Sequence, residues 1–317
     1  MLTGKAVLIT GGTGSFGQGF VRSVLARYKP ARLVVFSRDE QKQYEMRARF
    51  SGAPMEYVLG DVRDYETVRR AFEGMSVIVH AAALKQVEAA EQNPQEAIKT
   101  NINGSANVVT AAAACRIQRV IEISTDKAVH PVNIYGATKF VADKIFVSAG
   151  FSVARLGNFS SRGSVVPYFR RLAAEGAAEL PVTDARMTRF WLTLTQAVEF
   201  VLACLERMKG GEIFVPRVPS VRTVDIAKAA GPSLKVKIVG IRPGERLHEI
   251  LLSAQESARA LAFTGYYVVP PVVGASDYST DAAGERGVPV KEPFEYSSET
   301  NDRFLTAADL RKQEDFI

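Results

Sequence analysis

Between residues 6 and 157 the chain alternates short, continuously apolar runs with longer stretches of helical periodicity. The runs Ala6–Thr10, Arg32–Ser37, Glu56–Gly60, Val77–Ala83, Arg119–Ser124 and Val153–Gly157 predict strands. The stretches Phe20–Tyr28, Gln41–Phe50, Tyr65–Glu73, Asn103–Cys115 and Ile134–Ala149 predict helices. A strand that is apolar at every position is buried on both faces, as in a parallel sheet clad by helices. The pattern therefore predicts an α/β fold with a doubly wound parallel sheet of the Rossmann kind. After about Asn158 the rhythm changes. Helical pieces at Val166–Glu175, Thr195–Met208 and Thr223–Ala230 mix with short strands at Glu212–Val215 and Lys235–Val239, and Pro270–Pro293 predicts irregular chain. Two units are expected, 1–157 and 158–317. The second is a smaller α/β cap, from which residues 212–215 return a strand to the main sheet.

Composition narrows the class. Of 317 residues, 47% are apolar and 23% charged, enough for a full globular core. No apolar run reaches the roughly 18 residues needed to span a bilayer. Met1–Lys5 leads directly into the first strand, so no signal peptide, and hence a soluble cytoplasmic protein, is expected. The two cysteines, Cys115 and Cys204, read as buried thiols, and His80, His130 and His248 match no zinc spacing, so no metal is expected. The net charge of +6 comes from basic residues interleaved with acids rather than from a basic tract. It fits a phosphate-bearing small molecule better than nucleic acid or a membrane.

The first predicted strand ends in Thr10-Gly11-Gly12-Thr13-Gly14-Ser15-Phe16-Gly17 and runs into a helix. The G-x-x-G-x-x-G spacing permits a tight turn at Gly11, close backbone approach of a pyrophosphate at Gly14, and helix-on-strand packing at Gly17. A dinucleotide is implied. The second strand ends in Phe36-Ser37-Arg38-Asp39-Glu40, with Lys42 just beyond. A guanidinium at that tip pairs a ribose 2′-phosphate and favours NADP, whereas Asp39, one position on, keeps NAD open. Asp61, followed by Val62 at the tip of the third strand, is placed either against adenine or as a turn or cap residue.

Tyr135 and Lys139 stand at i and i+4, on one face of a predicted helix. An ammonium so placed lowers a phenol's pKa and readies it as a base. Upstream, Ser124-Thr125-Asp126-Lys127-Ala128 sets a hydroxyl, a carboxyl and an amine at a strand's C-terminal end, where open α/β sheets bind ligands.

With these residues in place, the chain resembles the inverting UDP-N-acetylglucosamine 4,6-dehydratases, extended short-chain dehydrogenase/reductases of bacterial pseudaminic-acid and related surface-sugar pathways. The likeness runs nearly end to end, through Thr10–Gly17, Ser37–Tyr44, Ala81–Lys85, Ser124–Ala128, Asn133–Lys139, Gly157-Asn158, Ser161–Pro167, Arg186–Leu192, Arg242–Glu245 and Tyr296–Ser298. Gln86 departs from the group, which more often has histidine there. The resemblance implies internal redox on NADP. Tyr135 takes the 4-hydroxyl proton, Lys127 removes the C5 proton as a free amine acidified by burial and Lys139 against the opposing pull of Asp126, and a protonated Asp126 releases the 6-hydroxyl. It further implies Thr125 as hydroxyl partner, Ala81 and Lys85 at the cofactor, and Lys85, Asn158, Val166, Arg189, Arg242 and Glu245 at the UDP-sugar. Glu245 has two alternative readings, pairing with Arg242 or holding a ribose. A homo-oligomer is expected, because short-chain dehydrogenases commonly associate. The competing readings are a capsule-pathway dehydratase/epimerase or 4-epimerase, and a non-catalytic NADP-binding regulator.

Overall fold

The computed structural model describes residues 1–272, 277–313 and 316; Val273–Ser276, inside the stretch predicted irregular, lie outside the described residues. Six parallel strands form the heart of the molecule: β1 (Ala6–Thr10), β2 (Arg32–Ser37), β3 (Met55–Leu59), β4 (Val77–His80), β5 (Arg119–Thr125) and β6 (Ser152–Leu156). Their spatial order, β3-β2-β1-β4-β5-β6, reverses direction at β1, which is the doubly wound arrangement predicted. β1, β4 and β6 are buried at every position, which accounts for the apolar runs of the first two, while β6 buries Ser152 and Arg155 along with its apolar residues. One apolar cluster, with Phe72, Val108 and Phe146, covers one face of the sheet; a second, with Phe20, Val201 and Leu205, covers the other.

The sheet continues past β6. Ile213–Pro216 lies parallel to β6, and the antiparallel strands Tyr266–Val269, Leu261–Phe263 and Val288–Pro289 complete ten strands among the described residues. The last of these interrupts the region predicted irregular. The remaining C-terminal elements build a separate apolar cluster around Phe169, Leu180, Trp191 and Ile226, which caps the C-terminal ends of the parallel strands. Among the described residues no helix is long and apolar enough to cross a membrane, and no cluster of His, Cys, Asp and Glu is arranged to hold a metal ion. Both cysteines are free, Cys204 buried and Cys115 partly so.

A buried ionic knot ties the sheet to the cap. Arg155, on β6 and 2% exposed, donates to Glu256 at 3.0 Å, to Asp143 at 3.4 Å and to the Leu251 carbonyl at 3.1 Å. Burial raises the Glu256 carboxyl, but the Arg155 guanidinium and the hydrogen bonds from Ser253 override it and hold the group at about 2, below its ordinary 4.5. A depressed carboxylate stabilises the fold fully above its unfolded pKa and ceases to do so as pH falls through its folded one. This contribution is therefore expected to be complete above about pH 4.5 and to drain away towards pH 2. Arg155→Met, which strands two buried carboxylates, is expected to cost about 3–5 kcal/mol in denaturant unfolding at neutral pH.

Candidate active site

A cleft of about 1260 Å³ opens along the C-terminal ends of the parallel strands, under the cap. That exceeds the 300–1,000 Å³ usual for one drug-sized ligand and leaves room for two extended molecules end to end.

At one end lies the glycine loop. Gly11 has φ +63, and a Cβ there would sit 2.8 Å from the backbone of Ala81 and Ala82. A Cβ on Gly17 would lie 2.4 Å from the Gly12 carbonyl, so the helix Ser15–Arg27 rests directly on the turn. Its first turn has neither a side-chain cap nor an acidic residue, which leaves its N–H groups and positive dipole end facing the cleft. Thr13, Gly14, Ser15 and Phe16 line the same wall. These are the properties of a pyrophosphate cradle, so the loop fits a dinucleotide.

Beside it, the Ser37 hydroxyl meets Thr13 at 2.8 Å, and Arg38 stands 3.7 Å from Asp61, half exposed at the rim. Asp39 is occupied: one carboxylate oxygen caps the helix Glu40–Arg49 by accepting from the Lys42 amide at 2.9 Å, and the other binds the Lys42 ammonium. Asp61 accepts from the Arg63 backbone and guanidinium, and so serves as a charge partner at the mouth rather than as a helix cap. Val62 and Ala81 line the wall, and the Lys85 ammonium donates to Ser161 at 2.9 Å. Arg162, given no role from sequence, reaches across to the same loop: its guanidinium donates to the Thr13 carbonyl at 2.6 Å, and its amide to Ser15 at 3.1 Å.

The other end holds the reactive side chains. Helix Ile134–Ser148 begins at Asn133, whose oxygen accepts from the Gly136 amide at 2.7 Å and whose amide donates to the Gly244 carbonyl at 2.8 Å. A Cβ on Gly136 would lie 2.2 Å from the Lys127 carbonyl. Only glycine lets this helix press against the Asp126–Ala128 turn, and that contact brings Tyr135 beside Thr125 and Lys127. Thr125 donates to Asp126 at 3.0 Å and accepts from the Lys127 amide at 3.3 Å. Asp126, 1% exposed, also accepts from the Lys127 ammonium at 3.1 Å and faces the Asn158 amide at 3.5 Å. Burial raises the Asp126 carboxyl above its ordinary range, against the pull of Lys127, which suits a proton donor.

Two expectations need correction. Lys127 was expected to be acidified. Burial does act that way, but Asp126 on one side and Glu249, 2.9 Å away, on the other override it and hold the ammonium above its ordinary pKa. Lys139 was expected to acidify Tyr135. Its charge does pull the phenol down, as does that of Lys127, but burial is larger and leaves the phenol above its usual value. The Lys139 ammonium is moreover bound by Glu122, a buried carboxyl on β5 that burial raises to about 8. Sequence reasoning missed both glutamates.

Of the residues expected at the substrate, Asn158, Arg189, Arg242 and Glu245 line the cleft. Arg242 and Glu245 are paired at 2.5 Å. Arg189 donates to the Thr188 and Leu247 carbonyls and stands 3.6 Å from Glu249. Val166 does not join them: it is 1% exposed in the cap's apolar cluster, beside Phe169 and Trp191. Asp126 and Lys139 lie just behind the wall, reached through Lys127 and Tyr135.

Comparison with known proteins bears on this arrangement. The polysaccharide biosynthesis protein family matches residues 7–271. The UDP-N-acetylglucosamine 4,6-dehydratase (inverting) of Campylobacter jejuni is 48% identical, over 98% of this chain and 97% of that one. The UDP-glucose 4-epimerase of Rickettsia akari is 38% identical over 85% and 84%. The X-ray structure of Pen from Bacillus thuringiensis superposes with a TM-score of 0.90 at 33% identity, over 98% and 97% of the two chains. The dTDP-glucose 4,6-dehydratase DesIV of Streptomyces venezuelae, at 20% identity and a TM-score of 0.69, shares the fold. A match this complete, over the glycine loop, the Thr125–Lys127 turn and the Tyr135–Lys139 helix alike, places the chain in the polysaccharide biosynthesis protein family, among the extended short-chain dehydrogenase/reductases that include the inverting UDP-N-acetylglucosamine 4,6-dehydratases.

Proposed function

We propose that this protein is an NADP-dependent, inverting 4,6-dehydratase of UDP-N-acetylglucosamine, yielding UDP-2-acetamido-2,6-dideoxy-β-L-arabino-hexos-4-ulose for bacterial surface-sugar synthesis of the pseudaminic-acid type. One observation carries the reading: a carboxyl, an ammonium and a phenol meet at one end of a cleft whose other end is a pyrophosphate cradle. A 4-epimerase has no use for the first two, because nothing leaves C6.

NADP would be held by the glycine loop, Ser37, Arg38 and Lys85, and would supply reversible hydride exchange. The protein's own groups handle the protons. Tyr135 accepts the proton of the 4-hydroxyl, with Lys139 steadying the phenolate. Once C4 is a ketone, the C5 proton is acidic, and the Lys127 amine removes it. The electron pair closes toward C6 as the C6–O bond breaks, and the Asp126 carboxyl gives its proton to the departing hydroxyl, which leaves as water. A proton returned to C5 from the opposite face inverts that centre. Arg189 and Arg242 suit the diphosphate, since guanidinium forks match its oxygens. The reading keeps a cytoplasmic homo-oligomer.

The preference for NADP over NAD rests on Asp39. With both carboxylate oxygens engaged by Lys42, it has little to offer a ribose diol, while the Arg38 guanidinium stands half exposed at the rim, 3.7 Å from Asp61. Arg38→Ala is expected to raise the Kd for NADP about tenfold, with that for NAD nearly unchanged, by fluorescence titration. Equal weakening of both would reject the assignment.

The decisive experiment is incubation with UDP-N-acetylglucosamine in deuterated water, followed by NMR. A 4-keto-6-deoxy product of L-configuration with deuterium at C5 is expected. A retained D-configuration indicates a plain dehydratase. A C4 epimer, or no turnover, rejects dehydration.

A further inference from the structure

We propose that Glu249 is a positioning residue for Lys127: it aims the ammonium into the cleft and receives the proton that Lys127 must shed before acting as a base. The inference deepens the dehydratase reading and rests on it.

The placement of Glu249 is over-determined. Its amide donates to the Ser298 hydroxyl at 2.9 Å, and its carbonyl accepts from the Ser298 amide at 2.8 Å. Ser298 in turn bonds Thr188 at 2.8 Å, and the next residues of the chain, Ile250–Leu252, pair with Tyr296–Ser297. The backbone of Glu249 is thus pinned from both sides. The side chain, 3% exposed, reaches the cleft wall and puts one oxygen 2.9 Å from the Lys127 ammonium. Its second oxygen, Oε2, is buried with no hydrogen-bond partner. A buried carboxylate oxygen left unpaired is costly.

The charges around it suit proton traffic. Glu249 faces Lys127 on the Asp126–Ala128 turn, and Arg189 on Thr188–Leu192 at 3.6 Å; Arg246 and Asp126 complete its charged surroundings. At rest Lys127 is an ammonium and Glu249 a carboxylate, because each holds the other charged. A diphosphate arriving at Arg189 competes for that guanidinium, which removes a cation from Glu249 and raises the carboxylate's affinity for a proton. The step is then a transfer along an existing hydrogen bond. The Lys127 N–H bond breaks, an O–H bond forms on Glu249, and the charges on both groups vanish. The neutral amine takes the C5 proton and becomes an ammonium again, while Asp126 protonates the leaving hydroxyl. The requirement for a neutral amine, which the resting geometry opposes, is met only when substrate is bound.

The test uses Glu249→Gln, close in shape but unable to hold a proton as a carboxyl. Wild type and variant are mixed with UDP-N-acetylglucosamine. Formation of 4-keto-6-deoxy product is followed by NMR, and oxidation at C4 by absorbance of the reduced nicotinamide. The variant is expected to form product about 100-fold more slowly, with KM within about threefold of wild type and C4 oxidation preserved, so that reduced nicotinamide accumulates. Product formation within about threefold of wild type overturns the inference, as does equal loss of both half-reactions. Thermal unfolding and NADP titration accompany each variant. If the glutamine protein does not fold, Glu249→Ala, which likewise cannot take up the proton, carries the test by the same two readouts and the same criteria. A wild-type enzyme that makes no 4-keto-6-deoxy sugar rejects the dehydratase reading, and this inference with it. A competent wild type beside an unaffected variant rejects this inference alone.

Discussion

Replacing Tyr135 with phenylalanine is expected to lower dehydration about 10³-fold while NADP binds as in the wild type. The substitution removes one hydroxyl and preserves the ring that lines the cleft. In the proposed mechanism the lost group takes the 4-hydroxyl proton, so without it no ketone forms and nothing downstream can begin. Neither incorporation of deuterium at C5 nor a rise in reduced nicotinamide should be seen. The phenol, which burial keeps above its ordinary pKa, also predicts the sign of the pH dependence. The base form grows as pH rises, so C4 oxidation in the wild type is expected to accelerate with pH until the phenol range is passed. Stopped-flow absorbance at a series of pH values checks this, and a rate that falls over the same range would remove Tyr135 from the role.

Lys127→Met is expected to separate the two half-reactions. Methionine roughly fills the lysine's volume but has no basic nitrogen. C4 oxidation, which depends on Tyr135, should persist, while formation of the 6-deoxy sugar falls about 10³-fold. The substitution also leaves the Asp126 and Glu249 carboxyls facing the space of the lost ammonium. Two buried carboxyls without their cation disfavour ionisation, so a loss of neutral-pH stability that is partly recovered in mild acid should accompany it. Release of 4-keto-6-deoxy product at the wild-type rate would show that another group removes the C5 proton.

The parallel half of the fold was legible because its strands are buried on both faces and its helices follow in regular alternation. The cap was less so. Strands such as Thr188–Leu192 and Ile250–Leu252 pair with partners distant in sequence, so neither period nor turn chemistry marks them. In the site, the motif residues were legible and their protonation was not. That Asp126 flanks Lys127 can be read from the chain; that Glu249, more than a hundred residues on, flanks it from the other side cannot. Glu122 did leave a signal. It is a lone acid inside Arg119-Val120-Ile121-Glu122-Ile123, and a carboxylate in a strand read as buried implies a buried cation beside it, here Lys139. The same reasoning would have drawn attention to Arg155 within β6.

The register of Ile213–Pro216 against β6 has a consequence during synthesis. Until about sixty further residues have left the ribosome, the nascent N-terminal half presents β6, buried at every position in the finished fold, as an unprotected rim with open amide and carbonyl groups. Such a rim invites pairing with neighbouring chains. Truncation near residue 157 should therefore give aggregates rather than a soluble cofactor-binding fragment, and the full-length protein should depend on holding chaperones during this interval.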